Sequence, residues 1–261
     1  MRAALAHEAG MTAIGILGMR GRMGRAIGTA AAEAGATIAG GIGRQGSLHG
    51  DHETAAALAT ASDVLVDFTA PDALQLHLDA AIAAGTPILV GTTGLSPDHH
   101  RAIDAAAKQV AVLQTANTSL GINLLRFLVE EAARRLGPDW DIEILEMHHR
   151  HKLDSPSGTA LLLGAAANAG RGAAGKTEMN RFDRMQEGPH AREQGGIYYA
   201  SLRGGSVAGD HLVIFAGEGE RLELGHRAES RFVFAKGAVK AALWLAGKPA
   251  GRYAMKDVLG L

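Results

Sequence analysis

From position 146 to 160 the chain reads Glu-Met-His-His-Arg-His-Lys-Leu-Asp-Ser-Pro-Ser-Gly-Thr-Ala, which sets proton donors, a fixed cation and a helix start side by side. His148 and His149 follow Ile142, Ile144 and Glu146, residues on one face of a period-two strand, so the imidazoles leave the end of a sheet. An imidazole with an unperturbed pKa of about 6.5, lowered further by a nearby cation, can give up a proton near neutral pH. That suits a general acid. The Ser-Pro-Ser-Gly-Thr run before Ala160 predicts a capped helix from 157 to about 169, with proline near its first turn. Helix starts present amides without intrahelical partners and a partial positive charge. A carboxylate seated on the Gly158 and Thr159 amides, beside the Lys152 ammonium, would gain charge-assisted hydrogen bonds of roughly 1.5–3 kcal/mol each. Glycine at 158 lets such an anion approach the backbone. The chemistry implied is delivery of a proton to a bound organic anion. Two other readings stand beside it: polar lining of a cleft, or a metal site. Neighbours on a strand point to opposite faces, so only His149 and His151 of the three imidazoles would converge, and neither HExxH spacing nor any cysteine supports a metal.

A second motif lies near the amino terminus, where Gly18-Met19-Arg20-Gly21-Arg22-Met23-Gly24 follows an apolar run and opens a helix. Its glycines permit a tight turn and let a pyrophosphate approach the helix start, although the spacing is GxxGxxG rather than GxGxxG. An ordinary strand-to-helix turn could carry the same glycines. Two further segments, Gly91-Thr92-Thr93-Gly94 and Thr115-Ala116-Asn117-Thr118, follow later apolar runs and fall at the carboxyl ends of parallel strands, where open sheets bind ligands.

Composition narrows the setting. The 261 residues are 47% hydrophobic and carry a formal net charge of −1, enough for one or two domains with ordinary cores and no global attraction for nucleic acid. Without cysteine there is no disulfide or thiolate chemistry, which is compatible with the cytoplasm. No apolar run approaches the roughly 20 residues of a membrane span. Residues 1–10 lack the pattern of a secretory signal and read as a disordered extension or an upstream start codon.

The elements that must position these groups alternate from residue 12 to about 115 in the manner of a parallel sheet covered by crossover helices. Strands are expected at 13–17, 37–42, 64–68, 87–90 and 110–114, helices near 22–34, 72–84 and 97–108, and a further helical turn within 53–61. A helix over 121–136 leads to a strand at 141–147 and the capped helix. The Gly/Arg-rich stretch 170–196 reads as a mobile loop, followed by strands at 197–202, 212–215 and 221–226 and a last helix over 232–246. The fold class expected is α/β: a Rossmann-like parallel-sheet domain over 12–118, joined again by 230–261, and an α+β domain with an open mixed sheet over 119–229.

The His-His-Arg-His-Lys run at 148–152, followed by Pro-Ser-Gly-Thr at 156–159 and preceded by the glycine loop, resembles the dihydrodipicolinate reductase family. The resemblance implies nicotinamide-dependent reduction of 4-hydroxy-tetrahydrodipicolinate to tetrahydrodipicolinate in the diaminopimelate route to lysine. It makes His148 the acid and Lys152 its electrostatic partner. It makes His149, Gly158 and Thr159 the dicarboxylate contacts, and it extends the cofactor loop to Arg22 and Met23. By the same resemblance the segments at Gly91, Thr92 and Thr93 and at Thr115, Ala116, Asn117 and Thr118 are expected to frame the nicotinamide, although many relatives place an aromatic residue where Thr118 stands. It also implies a homotetramer assembled through the second domain's sheet.

Cofactor preference turns on the end of the second strand, where an acidic residue would hydrogen-bond the ribose of NAD. Many relatives have glutamate before the arginine; here Gly43-Arg44 stands instead, removing a carboxylate that would repel a 2′-phosphate. Arg44, aided by Arg20, can pair with that phosphate, so NADPH is expected over NADH, with both usable. Arg44 could equally be a solvated residue stacking on adenine with either cofactor. A regulatory protein that binds NADPH without turnover would most simply have lost the acid and the lysine, and both remain at 148 and 152. A reductase of another small dicarboxylate imine would keep them.

Overall fold

The computed structural model describes residues 11–43, 46–172, 180–181 and 191–261. The first elements in chain order are β1 (Ala13–Leu17), α1 (Arg22–Glu33), β2 (Thr37–Gly43), β3 (Gly46–His49), α2 (Ala55–Ala61), β4 (Val64–Asp67), α3 (Leu74–Ala84), β5 (Ile88–Val90), α4 (Pro97–Ala106) and β6 (Ala111–Gln114). There follow α5 (Leu120–Leu136), β7 (Asp141–His148), α6 (Gly158–Gly170), β8 (Asn180–Arg181), β9 (Ile197–Arg203), β10 (Asp210–Ala216) and β11 (Arg221–Arg227). The chain ends with α7 (Phe232–Leu245), β12 (Gly251–Tyr253) and α8 (Met255–Leu259). They form two compact units, one of residues up to Leu120 with Phe232–Leu261, the other Gly121–Arg231.

The first unit is built on a seven-stranded sheet in the order β12-β6-β5-β4-β1-β2-β3. Strands such as β1, buried at every position, are apolar throughout because helices cover both faces. Ile14, Ile16, Val64 and Val66 pack on one side against Ile27 and Ala31 of α1, Val239 and Leu245 of α7 and Val258 of α8. Leu17, Leu65 and Val112 pack on the other against Leu58 of α2, Leu78 of α3 and Ile103 of α4. β1 pairs with β2 on one side and β4 on the other, so successive crossovers diverge there and open a crevice beyond the carboxyl ends of β1 and β4.

The sheet departs from the all-parallel expectation at one edge, where β3 runs antiparallel to β2. Three short strands (β3, β8 and β12) and the helix α8 have no counterpart among the expected elements. β12 pairs parallel with β6 and extends the sheet after α7. Arg44, residues 1–10 and most of the expected loop at 170–196 lie outside the described residues. Within that stretch Asn180–Arg181 pairs parallel with β9.

The second unit has a mixed sheet in the order β11-β10-β7-β9-β8. Its alternation is that of a sheet covered on one side: Ile142, Ile144, Glu146 and His148 of β7 are buried while the residues between them are partly exposed. The buried face receives Ile122, Leu125 and Val129 of α5 and Ala160, Leu163 and Ala167 of α6. Gly164 is required for that contact, since a Cβ there would fall 1.8 Å from the Tyr199 hydroxyl.

Candidate active site

In the first unit the glycine loop is shaped by close approach. Gly18 has φ +89° and its N–H donates to the Ile42 carbonyl at 2.9 Å, tying the loop to β2. A Cβ on Gly24 would meet the Gly18 oxygen at 2.4 Å, so α1 starts against the loop backbone. Gly21 is the N-cap of α1 and gives no side-chain hydrogen bond to the first turn, whose leading residues are Arg22 and Met23. Met19 turns inward, its sulfur beside Gly41, and packs on the core.

Two adjoining hollows open there. One, of about 440 Å³, is lined by Arg22, Met23, Gly91, Thr92, Thr93 and residues 115–118, together with Phe68, Thr69 and Phe234. Thr118 donates its hydroxyl to the Phe234 carbonyl at 2.7 Å. The other, of about 1040 Å³, shares Phe68 and Thr69 and runs past Gly18, Arg20, Gly21 and Gly43. The sequence-predicted cofactor residues other than Met19 and Arg44 thus line one continuous crevice. A dinucleotide fits these residues: glycines where a side chain would collide, an uncapped helix start, and carboxyl-end loops on three strands.

Sequence reasoning missed the Asp-Phe-Thr segment at the end of β4. Asp67 is fully buried and accepts at Oδ1 from the Thr69 N–H (3.0 Å), the Thr69 hydroxyl (2.6 Å) and the Thr92 hydroxyl (3.2 Å). Its Oδ2 lies 2.8 Å from His77 Nδ1. One carboxylate therefore fixes two loops of the crevice wall.

The second unit holds the residues expected to serve as acid and anion site. His148 closes β7 and is 8% exposed, with its Nδ1 2.6 Å from Glu146 Oε2. Glu146 is buried and clamped by Arg203, which donates to Oε2 at 2.9 Å and to Oε1 at 2.8 Å. Burial works to raise the Glu146 pKa, but hydrogen bonds from Arg203, Ser201 and His148 and the Arg203 charge outweigh it and hold the carboxyl below its ordinary range. Behind His148 the ring of His211 lies edge-on at 5.1 Å, and its Nε2 is 3.1 Å from the Ser157 hydroxyl. Desolvation, and after it the neighbouring His148, lower the His211 pKa to about 4.

Ser157 is the N-cap of α6 and its hydroxyl accepts from the Ala160 N–H at 3.2 Å. Gly158 and Thr159 are then the first two helical residues, and Pro156 precedes the cap instead of sitting in the first turn. Space beside Gly158 is open: a Cβ there would meet nothing within 4 Å. Lys152 Nζ contacts Asp154 Oδ1 at 2.8 Å, and that bond holds Asp154 below the usual carboxylate range. The pair is exposed on the Asp154 side and is worth about 0–1 kcal/mol, so an incoming carboxylate can take its place.

His149 stands beside Arg231 and His151. Its Nε2 lies 2.6 Å from an Arg231 nitrogen and its Nδ1 3.2 Å from the His151 N–H. A neutral imidazole has one acceptor nitrogen, and the shorter, charge-assisted contact with Arg231 takes it. Loss of solvent around the ring and then the Arg231 charge lower the His149 pKa. The site therefore gathers His148, Lys152, Gly158 and Thr159, and adds Arg203, Asp154 and Arg231. Among the described residues no three metal-ligating side chains are grouped, and no helix is long and apolar enough to cross a membrane.

Comparison with known proteins gives the family. The family model described as dihydrodipicolinate reductase, N-terminus, matches residues 12–118, and its C-terminal counterpart matches 121–259. The 4-hydroxy-tetrahydrodipicolinate reductase of Zymomonas mobilis is 56% identical over 250 residues, covering 95% of this chain and 97% of its own. That of Brucella abortus is 54% identical over 198 residues, 76% of this chain and 73% of its own. Among solved structures, a dipicolinate-bound dihydrodipicolinate reductase from Paenisporosarcina sp. TG-14 superposes with a TM-score of 0.77 at 21% identity, over 95% of this chain and 99% of that one. An engineered D-amino acid dehydrogenase bound to NADP+ shares the fold at a TM-score of 0.51 and 14% identity, over 94% of this chain and 93% of that one. The chain belongs to the dihydrodipicolinate reductase family, whose members are oxidoreductases of lysine biosynthesis.

Proposed function

We propose that this chain reduces 4-hydroxy-tetrahydrodipicolinate to tetrahydrodipicolinate, with NADPH preferred and NADH accepted. The observation that carries the reading is a buried strand-end imidazole, His148, followed within one turn by Lys152 and a helix start open at Gly158. A bound reduced nicotinamide supplies the hydride. The loops ending β1, β4, β5 and β6 would hold the dinucleotide, and the amides of Arg22 and Met23 would serve its pyrophosphate. Arg20, which lines the hollow with Gly43, would provide positive charge for a 2′-phosphate, and the sequence adds Arg44, which lies outside the described residues.

The second unit's residues bind and protonate. Lys152 and the Gly158 and Thr159 amides grip the substrate carboxylates, with the Arg231 guanidinium adding positive charge beside the neutral His149 ring. As charge builds on the reduced ring, Lys152 offsets it and His148 Nε2 donates a proton, so both act chiefly in the transition state. The name of the Paenisporosarcina relative, which binds dipicolinate, supports a planar dicarboxylate as ligand.

The outer face of the second sheet supports a homotetramer. Leu145, Met147, Leu202 and Leu212 line a hollow of about 400 Å³ there, and Leu202 is 48% exposed. A biosynthetic role supports cytoplasmic residence. The test is an assay in which the substrate is made enzymatically from pyruvate and aspartate semialdehyde. Oxidation of NADPH on adding this protein supports the proposal, and oxidation seen only with other cyclic dicarboxylate imines overturns it.

A further inference from the structure

We propose that Glu146, locked by Arg203, is a positioning residue that fixes the proton of His148 on Nδ1 and leaves Nε2 as the nitrogen that serves the substrate. The proposal rests on the reading of His148 as the acid. Strand period places Glu146 and His148 on the same buried face of β7, two residues apart. Every direction of the carboxylate is occupied: Oε1 accepts from Arg203 and from the Ser157 N–H at 3.2 Å, and Oε2 from Arg203 and from His148. A carboxylate so held has no proton to give, so at the 2.6 Å contact the proton belongs to the imidazole. The far side of the ring is kept bare by Gly209, where a Cβ would stand 3.0 Å from Nε2.

The arrangement also ties acid to anion site. Arg203 donates at 2.6 Å to the carbonyl of Asp154, the residue paired with Lys152, and Glu146 holds the backbone of the cap that starts α6. Arg203 stands opposite His148 in the β7–β9 register, so one guanidinium sets the carboxylate that sets the ring. With Nδ1–H held by the carboxylate, the proton handed to the substrate is one carried on Nε2.

A purely structural ion pair is the competing account, and removing one partner alone would strand a buried charge and threaten folding. The pair-neutral variant E146L/R203M avoids this, replacing both charges by apolar groups of similar size. With melting and far-UV circular dichroism like wild type, kcat is expected to fall roughly 10- to 100-fold while KM stays within about threefold. Wild-type kcat in that folded variant would overturn the proposal. A second measurement needs neither a variant nor activity. In wild-type protein labelled with 15N-histidine at pH 9, two-bond 1H–15N correlations are expected to show neutral His148 protonated on Nδ1. A proton on Nε2 would overturn the proposal even if the enzyme reduces its substrate, and the expected pattern in a protein inert in the reductase assay would leave it standing while removing the reading of His148 as acid.

Discussion

His211 offers a pH-dependent stability that can be worked from the structure. Its ring is 5% exposed, and its Nδ1 is buried with no hydrogen-bond partner among the described residues. Desolvation and the nearby His148 lower its pKa from 6.5 to about 4, with Glu146 opposing and His226 and Lys152 adding slightly. The unfolded chain therefore binds a proton near pH 6.5 that the folded chain accepts only near 4, and stability rises with pH across that window. Full stabilisation is present above the unfolded value and declines as pH falls toward the folded one. Linkage across pH 7 to 5 gives a loss of about 2 kcal/mol from this ring alone. The assay is urea unfolding at both pH values, comparing wild type with His211→Asn, which keeps a polar group facing Ser157 but cannot titrate. Wild type is expected to lose about 2 kcal/mol more than the variant between the two pH values. Equal losses would refute the reasoning.

Further outcomes follow from the site. On the proposed roles of the Lys152 ammonium, gripping a carboxylate and offsetting charge in the transition state, Lys152→Met is expected to lower kcat and raise KM together; steady-state kinetics read both, and a change in KM alone would remove the second role. Gly158→Ala meets open space, so melting is expected to stay within about 0.5 kcal/mol of wild type while KM rises several-fold, because the methyl occupies the anion's approach. Gly43→Glu is tolerated by the fold, a Cβ there lying 3.2 Å from a flexible Leu48 methyl. It is expected to move the NADPH:NADH ratio of kcat/KM toward NADH by about tenfold, and an unchanged ratio would remove the basis for the NADPH preference.

The sequence announced most of this architecture because the signals were periodic. β1 is an unbroken apolar run buried on both faces, and β7 alternates so strictly that Glu146 falls in line with Ile144 and His148. What it did not announce was short or relational. β3 (Gly-Ser-Leu-His) and β12 (Gly-Arg-Tyr) are too brief and glycine-marked to show a period, and only pairing with β2 and β6 makes them strands. Arg203 was missed because the expected strand stopped at Leu202, one residue short of the register position opposite His148. Asp154 and Arg231 carry no local pattern of their own; only the fold sets them against Lys152 and His149. Asp67-Phe68-Thr69 did carry a readable signal, a carboxylate and a hydroxyl at the end of the strand beside β1, where the crevice had to open.

The most direct test of the central claim is turnover by His148→Gln in the pyruvate and aspartate semialdehyde system with NADPH. Glutamine can keep a contact to Glu146 but has no proton to release, so kcat is expected to drop by roughly 10² to 10⁴ with little change in KM. Turnover close to wild type would contradict the assignment of the strand-end imidazole as the acid.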